Sequence, residues 1–243
     1  MTVRARPAVV YSLLGIATRI AERMGLHRDG DTLGLPVLRS EERRRMWWRL
    51  QNIEIGVAQL VGSLTMTIYG QWDTKLPSNL NDRDLRPDMQ TLPLERRGLT
   101  EMSYCLWQYQ ILYLQRANRA PGGNVEGVEW LLSPHVAIAD KDAKIDMTER
   151  TLNEMFLQYC EPLEPLHTLI QIGVRAFILS ARRVLRQPAL INAKISEMSP
   201  QEREDLLRIC MKSLEYYILL QNTESLRGFL WHSEVYPQWA ACM

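Results

Sequence analysis

The chain has 243 residues, 46% of them hydrophobic and 23% charged, which excludes a disordered polymer and supports a sizeable core. Its 29 Lys and Arg stand against 28 Asp and Glu, so a net charge of +1 gives no general attraction to a nucleic-acid backbone. No stretch approaches the roughly 18 uncharged apolar residues of a membrane span, and no cleavage site follows the short apolar run near the start. Neither a span nor a signal peptide is expected.

From Val10, the residues Leu13, Leu14, Ala17, Ile20, Ala21 and Met24 recur at helical spacing, predicting a helix that buries this stripe with Arg19, Glu22 and Arg23 opposite. Gly25 stops it, because glycine takes the left-handed C-terminal conformation without a Cβ clash, and Leu26 can fold back onto the last turn. A loop with Gly30, Gly34 and Pro36 follows. Ser40 is the expected N-cap of a second helix, with Glu41 and Glu42 in its first turn. Its predicted buried stripe is Met46, Trp47, Leu50, Ile53, Val57, Leu60 and Val61, with Arg43, Arg44 and Arg49 largely off it. Glu41 is expected to pair with Arg44 or Arg45 on a solvated face, which explains the arginine run better than nucleic-acid contact does.

Residues 70–98 hold Pro77, Pro87 and Pro93 and keep no period, so a long ordered loop anchored by Trp72, Leu76 and Leu80 is expected there. A third helix is predicted from Thr100 to Arg119, with Met102, Leu106, Tyr109 and Tyr113 on one side. Residues 124–147 are ambiguous and admit one short helix around Val128 to Leu132. Asp146 with Glu149 resembles a capping box opening a helix that carries Leu152, Met155, Phe156 and Tyr159. Pro162 and Pro165 precede a further helix, from Leu166 to Gln187. Ser199-Pro200-Gln201-Glu202 is the clearest helix start, with Leu206, Leu207, Cys210, Leu214 and Tyr217 as its expected inner face. No strand is predicted. The expected fold class is all-α: an irregular multi-helix domain with a long ordered loop at about 70–98.

Local catalytic spacings such as HExxH, GxSxG, a P-loop or GxGxxG do not occur. The four cysteines, Cys105, Cys160, Cys210 and Cys242, lie 55, 50 and 32 residues apart, far from zinc-site pairs, and are expected as free thiols. His27, His135, His167 and His232 are dispersed. No catalytic, cofactor or metal site is expected in this chain, and an enzyme is not. Eleven Met and seven Trp would fill irregular space among helices.

Three segments together resemble the fungal-specific transcription factor domain, the middle homology region of fungal zinc-cluster transcription factors. They are Gly15-Ile-Ala-Thr-Arg-Ile-Ala-Glu-Arg-Met-Gly-Leu-His-Arg-Asp-Gly30, then Glu41-Glu-Arg-Arg-Arg-Met-Trp-Trp48, then Asp73-Thr-Lys-Leu-Pro-Ser-Asn-Leu-Asn-Asp82 followed by Asp84-Leu85. The motif positions are Gly25, Leu26, His27, Arg28, Asp29, Glu42, Arg43, Arg44, Arg45, Trp47, Trp48, Leu76, Pro77, Asn79 and Asp82, none catalytic by type and all with structural work to do. The resemblance covers residues 10–90 well and the rest loosely.

It implies transcriptional regulation and a nuclear location, with zinc-dependent DNA binding carried in a complete member by a six-cysteine cluster. This chain lacks that cluster. DNA is therefore expected as a partner only through a missing or separate module, beside a possible effector, a co-regulator protein or a second copy; no membrane is expected. The whole chain, 1–243, is expected to form one regulatory domain, truncated at its N-terminus, with an exposed apolar groove beside the helix of residues 9–24. The alternatives are a repurposed helical scaffold that binds or transforms a small metabolite, and a non-functional fragment.

Overall fold

The computed structural model describes residues 7–61, 72–117, 133, 135–186 and 198–230. Among these every regular element is a helix and there is no strand, so the chain is all-α. The helices are α1 (Pro7–Arg23), α2 (Val37–Leu60), α3 (Ser103–Ala117), α4 (Ile138–Met155), α5 (Pro165–Arg186) and α6 (Pro200–Asn222), with short 3-10 turns at Asp82–Asp84, Leu157–Tyr159 and Glu224–Phe229. The chain divides into two compact units, Met1–Gln110 and Ile111–Met243, with the division inside α3. The helix admitted at Val128 to Leu132, the tail aromatics Trp231, Tyr236 and Trp239, His232 and Cys242 lie outside the described residues.

In the first unit, α1 packs on α2. The ending of α1 is the one its sequence predicts. Gly25 has φ +72°, its N–H reaches the Glu22 carbonyl at 2.8 Å, and the Leu26 N–H reaches back to Ala21 at 2.9 Å. These two bonds form a Schellman cap and bury Leu26.

The buried face of α1 is not the one expected. Thr18 and Ala21 face inward, with Tyr11 and Leu14 half-buried, whereas Leu13, Ile20 and Met24 are exposed. Small side chains let two helices approach closely, so the thin side of α1 meets α2 and the bulky apolar side faces out.

Helix α2 begins at Val37, just after Pro36, and not at Ser40. Ser40 lies inside the first turn, buried, with its hydroxyl donating to the Pro36 carbonyl at 3.2 Å. It sits against Gly30, where an added Cβ would meet the Ser40 Cα at 2.6 Å. Gly30 is therefore a glycine because the loop must touch the helix.

Trp47 and Trp48 are both buried, along with Val57 and Ala58, while Met46, expected inside, is 55% exposed. Arg44, expected off the stripe, is buried too, as are Glu41, Gln51 and Glu54. Residues 72–102 then run without a regular helix longer than the turn at Asp82–Asp84, as the long loop was expected to do. Of its expected anchors Leu80 is buried, whereas Trp72 and Leu76 are half-buried.

In the second unit α5 is central, packed by both α4 and α6. Leu169, Ile170, Ile172, Val174, Ile178 and Leu185 are all buried, because a helix with neighbours on two sides needs apolar residues around more than one face. Asp146 and Glu149 do not open a helix; they lie well inside α4 and both accept from Arg182 of α5, at 2.8 and 2.7 Å. Arg186, one turn on, grips Asp142 through both terminal nitrogens of nearby geometry, at 3.2 and 3.0 Å.

The start of α6 is as the sequence has it. The Glu202 N–H donates to the Ser199 hydroxyl and the Ser199 N–H to the Glu202 carboxylate, at 3.2 and 2.7 Å, with Pro200 in the first turn. Its inner face differs from expectation, since Leu207 and Tyr217 are exposed and Ser213 is buried.

Candidate functional site

The first unit brings the motif residues together at one place, where the end of α1, the first turns of α2 and the loop from Trp72 converge. Asp29 is the centre. Its carboxylate accepts from Arg44 Nε at 2.8 Å and Arg44 Nη2 at 2.6 Å, from the Lys75 N–H at 2.8 Å and from the Asp31 N–H at 3.1 Å. Burial alone would raise the Asp29 pKa, but the Arg44 guanidinium and the two N–H donors outweigh it and hold the group at about 2. Arg44 extends the cluster to Asp31 at 2.6 Å, and Lys75 Nζ reaches the same carboxylate at 2.8 Å.

A second buried carboxylate lies on the next segment. Glu41 accepts from Arg45 Nε at 3.1 Å and from the Ser78 N–H at 3.2 Å, and Arg45 continues to Asp82 at 2.6 Å. Burial pushes the Glu41 pKa up, against the pull of Arg45 and the Ser78 N–H. The sequence expectation of a Glu41–Arg45 pair holds, but the pair is enclosed where a solvated face was expected. Arg44, the other candidate, is taken by Asp29. Glu42, the motif position, pairs at the surface with Arg39 at 2.9 Å, so the acidic residue that carries the contact is its neighbour Glu41.

The other motif residues make backbone joints. Arg43 donates to the Met24 carbonyl at 3.0 Å, stabilising the α1 end, and does not hold a carboxylate. Arg28 pairs with Asp73 at 3.1 Å, the Asp29 N–H donates to Asp73 at 2.7 Å, and the Asp73 N–H returns to the His27 carbonyl at 3.1 Å. Thr74 donates to the Leu26 carbonyl at 2.8 Å.

Trp48 Nε1 donates to the Lys75 carbonyl at 2.7 Å, with Trp72 edge-on at 4.9 Å and Tyr109 at 5.9 Å between ring centroids. Trp47 lies against His27 and Trp72. Pro77 is buried and Leu76 half-buried.

Asn79 donates to the Arg96 and Gly98 carbonyls at 2.9 and 2.8 Å and accepts from Thr100 at 2.8 Å, fastening the far end of the loop to the start of α3. Arg96 grips Asp84 bidentately, at 2.7 and 2.6 Å, which holds the Asp84 carboxyl at about 2.

Sequence reasoning missed Thr74, Ser78, Asp31 and Lys75 as members of this network. Their role depends on backbone approach, which no local spacing signals. It also missed Gln51, fully buried with both polar side-chain atoms unpartnered, along with Trp47 Nε1 and Thr18 Oγ1.

Chemically this arrangement joins segments. Arg44 and Arg45 are consumed by carboxylates, so the arginine run does not present a phosphate-binding surface. Among the described residues, no group of three potential metal ligands gathers. Cys105, Cys160 and Cys210 are free and half-buried.

The same chain aligns with the aurofusarin cluster transcription factor of Gibberella zeae at 30% identity over 228 residues, 92% of this chain and 33% of that protein. This chain is a homologue of fungal transcription factors. A transcriptional regulator of Aspergillus aculeatus matches at 26% identity over 93% of the chain and 30% of its own length, and a C6 finger domain transcription factor of Aspergillus fumigatus at 27% over 93% and 29%. The chain spans about a third of the length of these transcription factors. No family model matches it, and no solved structure does. The match runs through both compact units, so the likeness to these transcription factors is not confined to the motif of residues 10–90.

Proposed function

We propose that the chain is a regulatory domain of a fungal zinc-cluster transcription factor, acting on RNA polymerase II transcription in the nucleus and performing no catalysis itself. The observation that carries this is the alignment of nine-tenths of the chain with transcription factors, at 30% identity for the Gibberella zeae protein. The network around Asp29 and Glu41 supports it, because Arg43, Arg44, Arg45, Trp48 and Asn79 join segments through hydrogen bonds and form no nucleophile–base pair. DNA would be contacted by a zinc cluster outside this sequence, and zinc would belong to that cluster. The domain would work through contacts to an effector or a co-regulator, and the network around Asp29 and Arg44 would hold its first unit in the competent shape.

The test is a nuclear reporter in a fungal host. The chain is fused to an unrelated DNA-binding module, and transcription from a promoter bearing that module's sites is measured. The proposal expects reporter output to differ from that of the module alone, up or down, by at least about threefold. An Arg44→Ala fusion present at equal nuclear level should lose that difference. Output equal to the module alone, with folded nuclear fusion, would overturn it.

A further inference from the structure

We infer that the outer face of α1 docks an amphipathic helix with an acidic edge, carried by a partner protein. Val9, Leu13, Ile16, Ile20 and Met24 are each between 52% and 59% exposed. At about 100° per residue they fall within roughly 40° of one line along α1, at intervals of four, three, four and four residues. That is the spacing of a seam against another helix.

Isolated exposed apolar residues need no explanation, but five in a continuous stripe do. Thr18, which packs inward, lies about 160° from the stripe, and Ala21 about 100° from it on the flank away from Arg19 and Arg23, so the stripe is a second face of α1 and no extension of its packing on α2.

Charge chooses the occupant. Arg19 and Arg23 are exposed and lie roughly 60–100° to one side of the stripe, along a single edge. Neither makes an ion pair among the described residues. Glu22, the acidic residue between them, points away, about 160° from the stripe.

A second copy laid parallel would set Arg23 against Arg23. Laid antiparallel, it would set both arginines beside the uncharged run Pro7 to Leu14. Neither supplies an acid, whereas a helix with Asp or Glu beside its apolar seam does. The exposed residues Leu207, Met211 and Ile218 of α6 give no such direction, because Arg208 beside them is already paired with Glu204 and Asp205.

This inference goes beyond the regulatory proposal and does not depend on it, since binding is measured without any transcription. The full 243-residue chain is titrated into a fluorescein-labelled, 18-residue peptide helix that has leucines at seam spacing and glutamates along its edges. A matched peptide with lysines in place of the glutamates is run beside it, and sedimentation is measured on the chain alone.

The expected result is saturable binding of the acidic helix, at least about tenfold weaker for the lysine helix and for the Ile16→Glu/Ile20→Glu chain. Arg19→Glu/Arg23→Glu should reverse the preference. All four substituted side chains are exposed, so circular dichroism should show the variants helical. Equal binding of both peptides would overturn the acidic-edge inference, as would no binding by a folded chain. So would a chain that sediments as a dimer dispersed by Ile16→Glu/Ile20→Glu, which would assign the face to a second copy.

Discussion

Asp29 is buried and held by four hydrogen bonds, and that sets a testable acid sensitivity. Its folded pKa, about 2, lies below its ordinary value. A depressed carboxylate contributes stability that is present above the unfolded pKa and is lost as pH falls through the folded one. The shift corresponds to about 2 kcal/mol, lost between roughly pH 4 and pH 2.

Glu41 has the opposite sign. Its raised pKa favours folding below the unfolded value, and this contribution disappears as pH rises through the folded value, so it offsets part of the Asp29 loss in acid. Denaturant melts of Asp29→Asn should show a cost of about 3 kcal/mol at pH 7, because Arg44 is left buried without its main counter-charge. They should also show a flatter decline from pH 4 to pH 2 than wild type. Gln51 makes the reverse prediction: replacing a buried amide that lacks partners with methionine, of similar length, should raise stability by about 1 kcal/mol in the same melts.

Two glycines of the first unit separate backbone conformation from close approach. Gly25 has positive φ with only the Arg43 side-chain end near a hypothetical Cβ, so Gly25→Ala should cost about 1 kcal/mol. Gly30 meets the backbone of α2, so Gly30→Ala should cost more, about 3 kcal/mol, in thermal melts of the two variants.

At this scale two helix ends were legible in sequence, whereas the expected starts at Ser40 and at Asp146 were not where the helices begin. Gly25 after the last periodic residue, and Ser199 with Pro200 and Glu202, state their backbone hydrogen bonds through residue chemistry alone. Helix faces were less legible. In α1 the large apolar residues and the small ones occupy different sides, and hydropathy ranks Leu13 and Ile20 above Thr18, although close packing on α2 selects the small side. Arg44 and Glu41 were placed outside because charge alone predicts exposure; each is inside because a partner from a distant segment meets it. Asp146 and Glu149 imitate a capping box because the same three-residue spacing that reaches back to a helix start also puts two carboxylates on one helix face toward Arg182.

Over the whole molecule, the three motif segments belong to the first compact unit, while the likeness to transcription factors runs across both. Residues 10–90 carried the family signal in sequence because contact there depends on particular side chains: an arginine that must be a fork, a glycine that must lack a Cβ, a tryptophan that must donate. The second unit is held by apolar packing around α5 and by the Arg182 and Arg186 pairs, which many sequences can satisfy, and its likeness was accordingly faint to inspection.

The central claim is that the motif is a clasp that fastens the 72–101 loop to α1 and α2. It is tested most directly by amide hydrogen exchange on wild type and Arg44→Ala. The account predicts that the Lys75 and Ser78 amides, which donate to Asp29 and Glu41, lose protection by at least about tenfold while α1 and α2 remain helical. Unchanged protection at both amides in a folded Arg44→Ala chain would contradict it.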